Sequence, residues 1–196
     1  MAFRQLGNWQ VYDDAGRRKY LSEAERKSFL VAADRLPDAA DRLLCRTLVF
    51  TGCRISEALA LRAEHLDTNR LSLTVKTLKQ RRARFRLVPI PLALARELAA
   101  HAAGLDGHLW TMHRATAWRL VKRVMDDAGI SGPMACCKGL RHGFGIFAAD
   151  RNVPPNLIQR WMGHGSSHTT AIYLDAVGRE ERTFAARMWG PQGRAA

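Results

Sequence analysis

The stretch Leu71–Pro91, LSLTVKTLKQRRARFRLVPIP, is where the hydrophobic pattern of the chain changes. Leu71, Leu73 and Val75 alternate with polar residues, which is the period of a β-strand that buries one face. The run from Phe85 to Pro91 is again typical of a strand, and basic residues connect the two. The stretch therefore predicts an antiparallel hairpin with a cationic tip.

Apolar residues recur at helical spacing on both sides of this hairpin. Ser22 and Glu25 have the spacing of a capping box, and the helix that they begin is ended by Pro37. Further helices are predicted at about Ala39–Phe50, Ile55–Leu61, Leu92–Ala103, Arg114–Ala128, Leu140–Ala149, Pro155–Met162, Thr169–Ala176 and Arg179–Met188. The predicted fold class is mainly α with a small antiparallel β-sheet (α+β). It forms a single domain over residues 21–196, after a basic N-terminal arm or lead-in at 1–20.

Composition excludes several classes of protein. The 196 residues suffice for one domain with a core, and 47% hydrophobic residues argue against a disordered basic tail. No apolar run is long enough to span a membrane, and the N-terminus lacks the apolar region of a secretory signal, so we expect a cytoplasmic protein. The 4 cysteines show no CxxC spacing, which argues against a zinc site and predicts free thiols.

The charge is strongly positive and unevenly placed. The chain has 31 basic and 18 acidic residues, a net charge of +13. From Thr68 to Arg96 there is no acidic residue but eight basic ones. A cationic surplus of this size indicates a polyanionic partner, most often nucleic acid.

Three short motifs carry side chains suited to chemistry on a phosphate. They are TGCRISE at Thr51–Glu57, KGLRHG at Lys138–Gly143, and Gly163-His164 followed by Tyr173 nine positions after the histidine. Taken singly, each has a simple structural interpretation: an Arg–Glu pair on a helix, a solvated basic turn, and a core tyrosine.

Together and in this order the motifs resemble the catalytic domain of the tyrosine recombinases, the phage integrase family of DNA strand-exchange enzymes. The family pattern is T-G-x-R-x-S-E, a lysine on a β-hairpin, H/K-x-x-R, G-H, and a tyrosine nine residues later. The resemblance covers roughly residues 20–180.

The resemblance implies a role for each matching residue. Tyr173 would be the nucleophile on the scissile phosphate, Arg54 and Arg141 would clamp its nonbridging oxygens, and His164 would hydrogen-bond it. Lys138 would contact the phosphate or transfer a proton.

The resemblance also gives the hairpin a catalytic lysine. Lys79 would be the general acid for the leaving 5′-oxygen, with Lys76 as the alternative, and Glu57 would orient Arg54. Lys76 and four hairpin arginines are also predicted to contact DNA phosphates, although a solvated charge run is the commoner fate of such stretches. The arginines are Arg81, Arg82, Arg84 and Arg86.

By the same resemblance, the reaction needs no metal, cofactor or ATP. The implied partners are double-stranded DNA and further copies of the chain, four on two DNA sites, acting at the nucleoid. Most members carry an additional N-terminal helical domain, so an accessory protein is a further expected partner. A helix at about 178–190 would dock on a neighbouring protomer or pack on its own core.

Two other functions stay open: a non-catalytic DNA-binding regulator and a type IB topoisomerase.

Overall fold

The computed structural model describes residues 11–78 and 84–164. In this part, seven helices, one 3₁₀ turn and three strands follow one another along the chain. They are α1 Glu23–Asp34, α2 Ala39–Thr51, α3 Ile55–Leu59, the 3₁₀ turn Ala63–His65, β1 Leu66–Asp67, β2 Ser72–Thr77, β3 Arg84–Pro89, α4 Leu92–Ala102, α5 Arg114–Asp127, α6 Cys137–Ala149 and α7 Pro155–Met162. The predicted class, mainly α with a small antiparallel sheet, is confirmed. The helices predicted at Thr169–Ala176, Arg179–Met188 and 178–190 lie outside the described residues.

Helix ends are set by local chemistry. Ser22 and Glu25 form the predicted capping box at the start of α1. α2 ends at Gly52, which adopts the left-handed conformation with φ of 59°. A side chain at Gly52 would also meet the ring of Phe144, since a Cβ there would lie 2.5 Å from that ring. The chain therefore turns sharply at Gly52, directly before α3.

The sheet has the order β1-β2-β3, and all neighbours are antiparallel. Val75 lies opposite Arg86, and Lys76 lies opposite Phe85. Because side chains alternate between faces, Val75 and Arg86 share the buried face while Lys76 and Phe85 share the exposed one.

Residues 11–20, the described part of the predicted arm or lead-in, make contacts with one another and with later helices. Tyr12 and Arg18 form an antiparallel bridge, and the Lys19 amide donates to the Val11 carbonyl. Val11 is buried against side chains of α6 and α7. The second half of the predicted arm therefore packs against the helices that follow it. No helix in the described part of the chain is long and apolar enough to cross a membrane.

Candidate active site

A cavity of about 420 Å³ lies where α3, α5, α6 and the end of α7 meet. Four residues that the sequence predicts for the site line it: Arg54, Lys138, Arg141 and His164. Arg114 adds a further cation, and no acidic side chain lines the described wall. The cavity thus collects positive charge from three separate segments of the chain, at the starts of α3, α5 and α6, which suits it to bind a phosphate.

Arg54 is held by Glu57. The Arg54 guanidinium donates to Glu57 Oε1 at 2.9 Å, and its backbone amide donates to Oε2 at 2.9 Å. The Glu57 side chain is fully buried, and burial alone would raise its pKa. The hydrogen bond and charge of Arg86, followed by those of Arg54, outweigh burial and hold the pKa of Glu57 below its usual value.

Arg86 lies inside the protein. Its guanidinium donates from Nη2 to Glu57 Oε2 at 2.7 Å, from Nη1 to Thr77 Oγ1 at 2.9 Å, and from Nε to the Trp161 carbonyl at 2.8 Å. The prediction that Arg86 contacts a DNA phosphate is therefore wrong, because the strand register turns this side chain to the buried face.

Arg141 joins the ends of two helices. Its Nη1 donates to the Gly52 carbonyl at 2.7 Å, and its Nη2 donates to the Met162 carbonyl at 2.6 Å. Gly139 permits this placement, since a Cβ there would collide with the Met134 backbone. Arg141 is therefore fixed by main-chain groups of the protein itself.

His164 follows α7 directly. Gly163 ends the helix in the left-handed conformation, with φ of 64°, and the His164 amide donates to the Gln159 carbonyl. Burial, and then the charges of Arg141 and Arg54, lower the pKa of His164 to about 3. Its imidazole is therefore neutral near pH 7 and able both to donate and to accept a hydrogen bond.

The other predicted residues are less centrally placed. Lys138 is exposed at the start of α6, on the rim of the cavity, and Arg84 is exposed on β3. Lys76 is exposed on the sheet face opposite to Arg86. Four predicted site residues lie outside the described residues: Lys79, Arg81, Arg82 and Tyr173.

Arg114 was missed by the sequence reasoning. It is the first residue of α5, is exposed, and forms no ion pair with any residue in 11–78 or 84–164. No motif marks it, because it reaches the cavity through the packing of α5 against α3 and α6.

Buried His142 and half-buried His164 predict acid sensitivity. Burial, and then the charge of Lys138, lower the pKa of His142 to about 2, and His164 is lowered likewise. The unfolded chain binds these protons near its ordinary histidine pKa of ~6.5, so stability is present above that pH and falls as pH drops below it. We expect each histidine to contribute a slope of about 1.4 kcal/mol per pH unit between about pH 6 and pH 5.

Urea unfolding at a series of pH values measures this slope. Glu57 and the other carboxylates with lowered pKa add to it only below about pH 4.5, so the chosen window isolates the histidines. The His142→Asn variant should show a shallower dependence than the wild type. An equal slope in the two proteins would contradict the buried neutral state of His142.

Comparison with known proteins agrees with the geometry. Residues 19–179 match the model of the phage integrase family. Tyrosine recombinase XerA of Pyrococcus furiosus is 30% identical over 169 residues, covering 79% of this chain and 56% of the relative. Tyrosine recombinase XerD of Corynebacterium glutamicum is 31% identical over 147 residues, covering 69% of this chain and 48% of the relative. The chain thus spans about half the length of the curated relatives that it matches.

Solved structures share the fold. A crystal structure of XerA recombinase superposes with a TM-score of 0.72 at 24% identity, covering 90% of this chain and 65% of that one. XerH site-specific recombinase, bound to palindromic difH substrate in a post-cleavage complex, superposes with a TM-score of 0.74 at 23% identity. The match covers 92% of this chain and 57% of that one. The catalytic domain of bacteriophage HP1 integrase superposes with a TM-score of 0.67 at 21% identity, and the match covers 90% of this chain and 98% of that one.

Proposed function

Because the chain belongs to the phage integrase family, we propose that it is a site-specific DNA recombinase that cuts and rejoins DNA through a 3′-phosphotyrosyl intermediate. The observation that carries the proposal is the cavity shared by Arg54, Lys138, Arg141 and His164, with no acidic side chain on its described wall. Such a cavity suits a phosphodiester, whose reaction passes through a state of greater negative charge.

In the proposed reaction the Tyr173 hydroxyl passes its proton to solvent water as its oxygen bonds to phosphorus. The bond from phosphorus to the 5′-oxygen breaks, and that oxygen takes up a proton from a general acid. One phosphoester replaces another, so the bond energy is kept and no nucleotide cofactor is required. A 5′-hydroxyl of a second DNA end then reverses the step and releases the tyrosine.

The described residues act on the phosphate. Arg54 and Arg141 hold the two nonbridging oxygens and stabilise the transition state, which supplies the charge without a metal ion. His164, neutral at the working pH, hydrogen-bonds the phosphate, and Lys138 approaches from the rim. Since Arg54 and Arg141 are both anchored in the DNA-free protein, little reorganisation is needed on binding.

The proposal includes the partners and the domain plan. Double-stranded DNA is the substrate, four protomers assemble on two sites, and an accessory protein supports DNA binding at the nucleoid. Residues 21–196 form the catalytic domain, with residues 1–20 as an N-terminal arm or lead-in to it, and the segment at about 178–190 docks on a neighbouring protomer or packs on its own core. The solved complexes of XerH with its difH substrate support DNA as the partner.

The proposal is tested with nicked suicide duplexes made from the DNA that flanks the gene. We expect an adduct that survives denaturant and yields a DNA-linked peptide containing Tyr173, and no adduct from Tyr173→Phe. Binding without an adduct by the wild type would favour the regulator. Relaxation of a supercoiled plasmid that lacks the site would favour the topoisomerase. An adduct that persists in Tyr173→Phe would overturn the assignment of Tyr173 as the nucleophile.

The proton donor is proposed to be Lys79, with Lys76 as the alternative. A substrate with sulfur in place of the bridging 5′-oxygen leaves as a thiolate and needs no proton. Lys79→Ala should therefore slow cleavage of the oxygen substrate by about 100-fold and leave the sulfur substrate nearly unaffected. Lys76→Ala should not discriminate between the two substrates. The reverse pattern would assign the role to Lys76.

Arg114 is proposed to contact the DNA backbone beside the cavity. Arg114→Ala should reduce the slope of log affinity against log salt concentration by about 0.9, which is the counterion release expected for one phosphate contact. Arg35→Ala is the matched control, since Arg35 is equally exposed but lies at the end of α1 and does not line the cavity. Equal slopes for the two variants would mean that Arg114 is only solvated.

A further inference from the structure

The Arg86 guanidinium connects three segments that are far apart in the sequence. It donates to Glu57, 29 residues away, and to the Trp161 carbonyl, 75 residues away, as well as to Thr77 on the neighbouring strand. Its side chain is 5% exposed. A buried ion pair with Glu57 alone would need only one of these contacts.

Gly163 lies against the same guanidinium. A Cβ at Gly163 would come within 2.9 Å of Arg86 Nη1, so no side chain fits between the backbone and this group. Gly163 is the residue directly before His164. Arg86 therefore packs directly against the backbone where the chain leaves α7.

Two arginines share the end of α7. Arg86 binds the Trp161 carbonyl, and Arg141 binds the next one, that of Met162. Cations at the last carbonyls of a helix also interact favourably with its dipole. At its other side Arg86 holds Glu57, whose second oxygen holds Arg54.

We propose that Arg86 is a positioning residue, which fixes Arg54 through Glu57 and fixes His164 through the end of α7, so that both reach one phosphate. This inference rests on the proposed recombinase function. An arginine suits the task because its planar fork donates in several fixed directions, whereas a lysine at this position would replace only one contact. Arg86 itself does not touch DNA.

Arg86→Lys keeps the charge and separates this role from simple ion pairing. We expect it to retain DNA affinity and the salt slope, and to slow single-turnover adduct formation at saturating DNA by about 100-fold, the cost of a small misplacement at the reacting centre. Arg35→Lys serves as the control and should change neither. Weaker binding with a flatter salt slope would make Arg86 a DNA contact. A wild-type cleavage rate in Arg86→Lys would mean that Arg86 serves only as the ion-pair partner of Glu57. Either result overturns the proposal.

Hydrogen exchange in the DNA-free protein gives a readout that does not depend on activity. The amides of Gly163 and His164 donate to the carbonyls of Arg160 and Gln159. In Arg86→Lys we expect these two amides to exchange about 10-fold faster, as one charged hydrogen bond is lost, while the buried amides of α5 stay unchanged. Faster exchange of all amides alike, or no change in exchange at Gly163 and His164, would overturn the role of Arg86 at the end of α7. If the wild type forms no adduct but these amides respond, the recombinase proposal fails and the structural link remains.

Discussion

Replacing Glu57 by alanine is expected to lower the free energy of unfolding by about 3–5 kcal/mol, because the change leaves two guanidinium groups without their carboxylate. Arg86 would suffer most, since it is buried and Glu57 is the one acid that its guanidinium contacts among residues 11–78 and 84–164. Arg54 is about one third exposed and can turn to solvent. Urea unfolding of the wild type and Glu57→Ala measures the difference.

A double-mutant cycle separates the pair from general packing loss. When Arg86→Met is added to Glu57→Ala, the uncompensated buried charge is removed, so the double variant should be less destabilised than the sum of the single ones. Glu57→Gln keeps the shape and loses only the charge. Additive effects, or a loss under about 1 kcal/mol for Glu57→Ala, would contradict a buried ion pair that holds the site together.

Replacing Arg141 by alanine is expected to slow single-turnover adduct formation by about 1,000-fold or more. Loss of one preorganised group that stabilises transition-state charge costs about 100- to 1,000-fold in other enzymes, and loss of a phosphate-clamping arginine costs more. Arg141→Lys should recover little of the rate, because a lysine cannot hold the Gly52 and Met162 carbonyls and a phosphate at once.

Lys122→Ala is the matched control for Arg141. Lys122 also donates to a main-chain carbonyl, that of Ala135 at 2.9 Å, but it does not line the cavity. It should lose a similar hydrogen bond and keep the cleavage rate at saturating DNA. If Arg141→Ala retained the rate within about 10-fold of Lys122→Ala, its clamp role would be untenable.

The strands and most helices could be predicted because their signals are local. Period-two alternation marked β2, and the cap at Ser22 marked α1. The buried position of Val11 could not be predicted in this way, because its partners come from α6 and α7, more than 120 residues later. A short polar segment therefore carries no sequence signal for the contacts that Val11 makes.

The same distinction applies to the site. Arg54, Arg141 and His164 stand in motifs whose spacing predicts them, and the fold brings all three to one cavity. Arg86 was misassigned because its flanking residues Phe85 and Leu87, although apolar, are the exposed ones on this strand. An inward arginine needs a distant carboxylate, and no pattern within a strand indicates one.

The groups that hold the two buried arginines have a consequence for mutational tolerance. Three of their acceptors are the carbonyls of Gly52, Trp161 and Met162, which belong to the main chain. A main-chain oxygen is present whichever amino acid occupies the position, so side chains at 161 and 162 can be exchanged without deleting these bonds. The positions of Arg86 and Arg141 therefore depend on where the backbone of α7 ends rather than on which side chains it carries there.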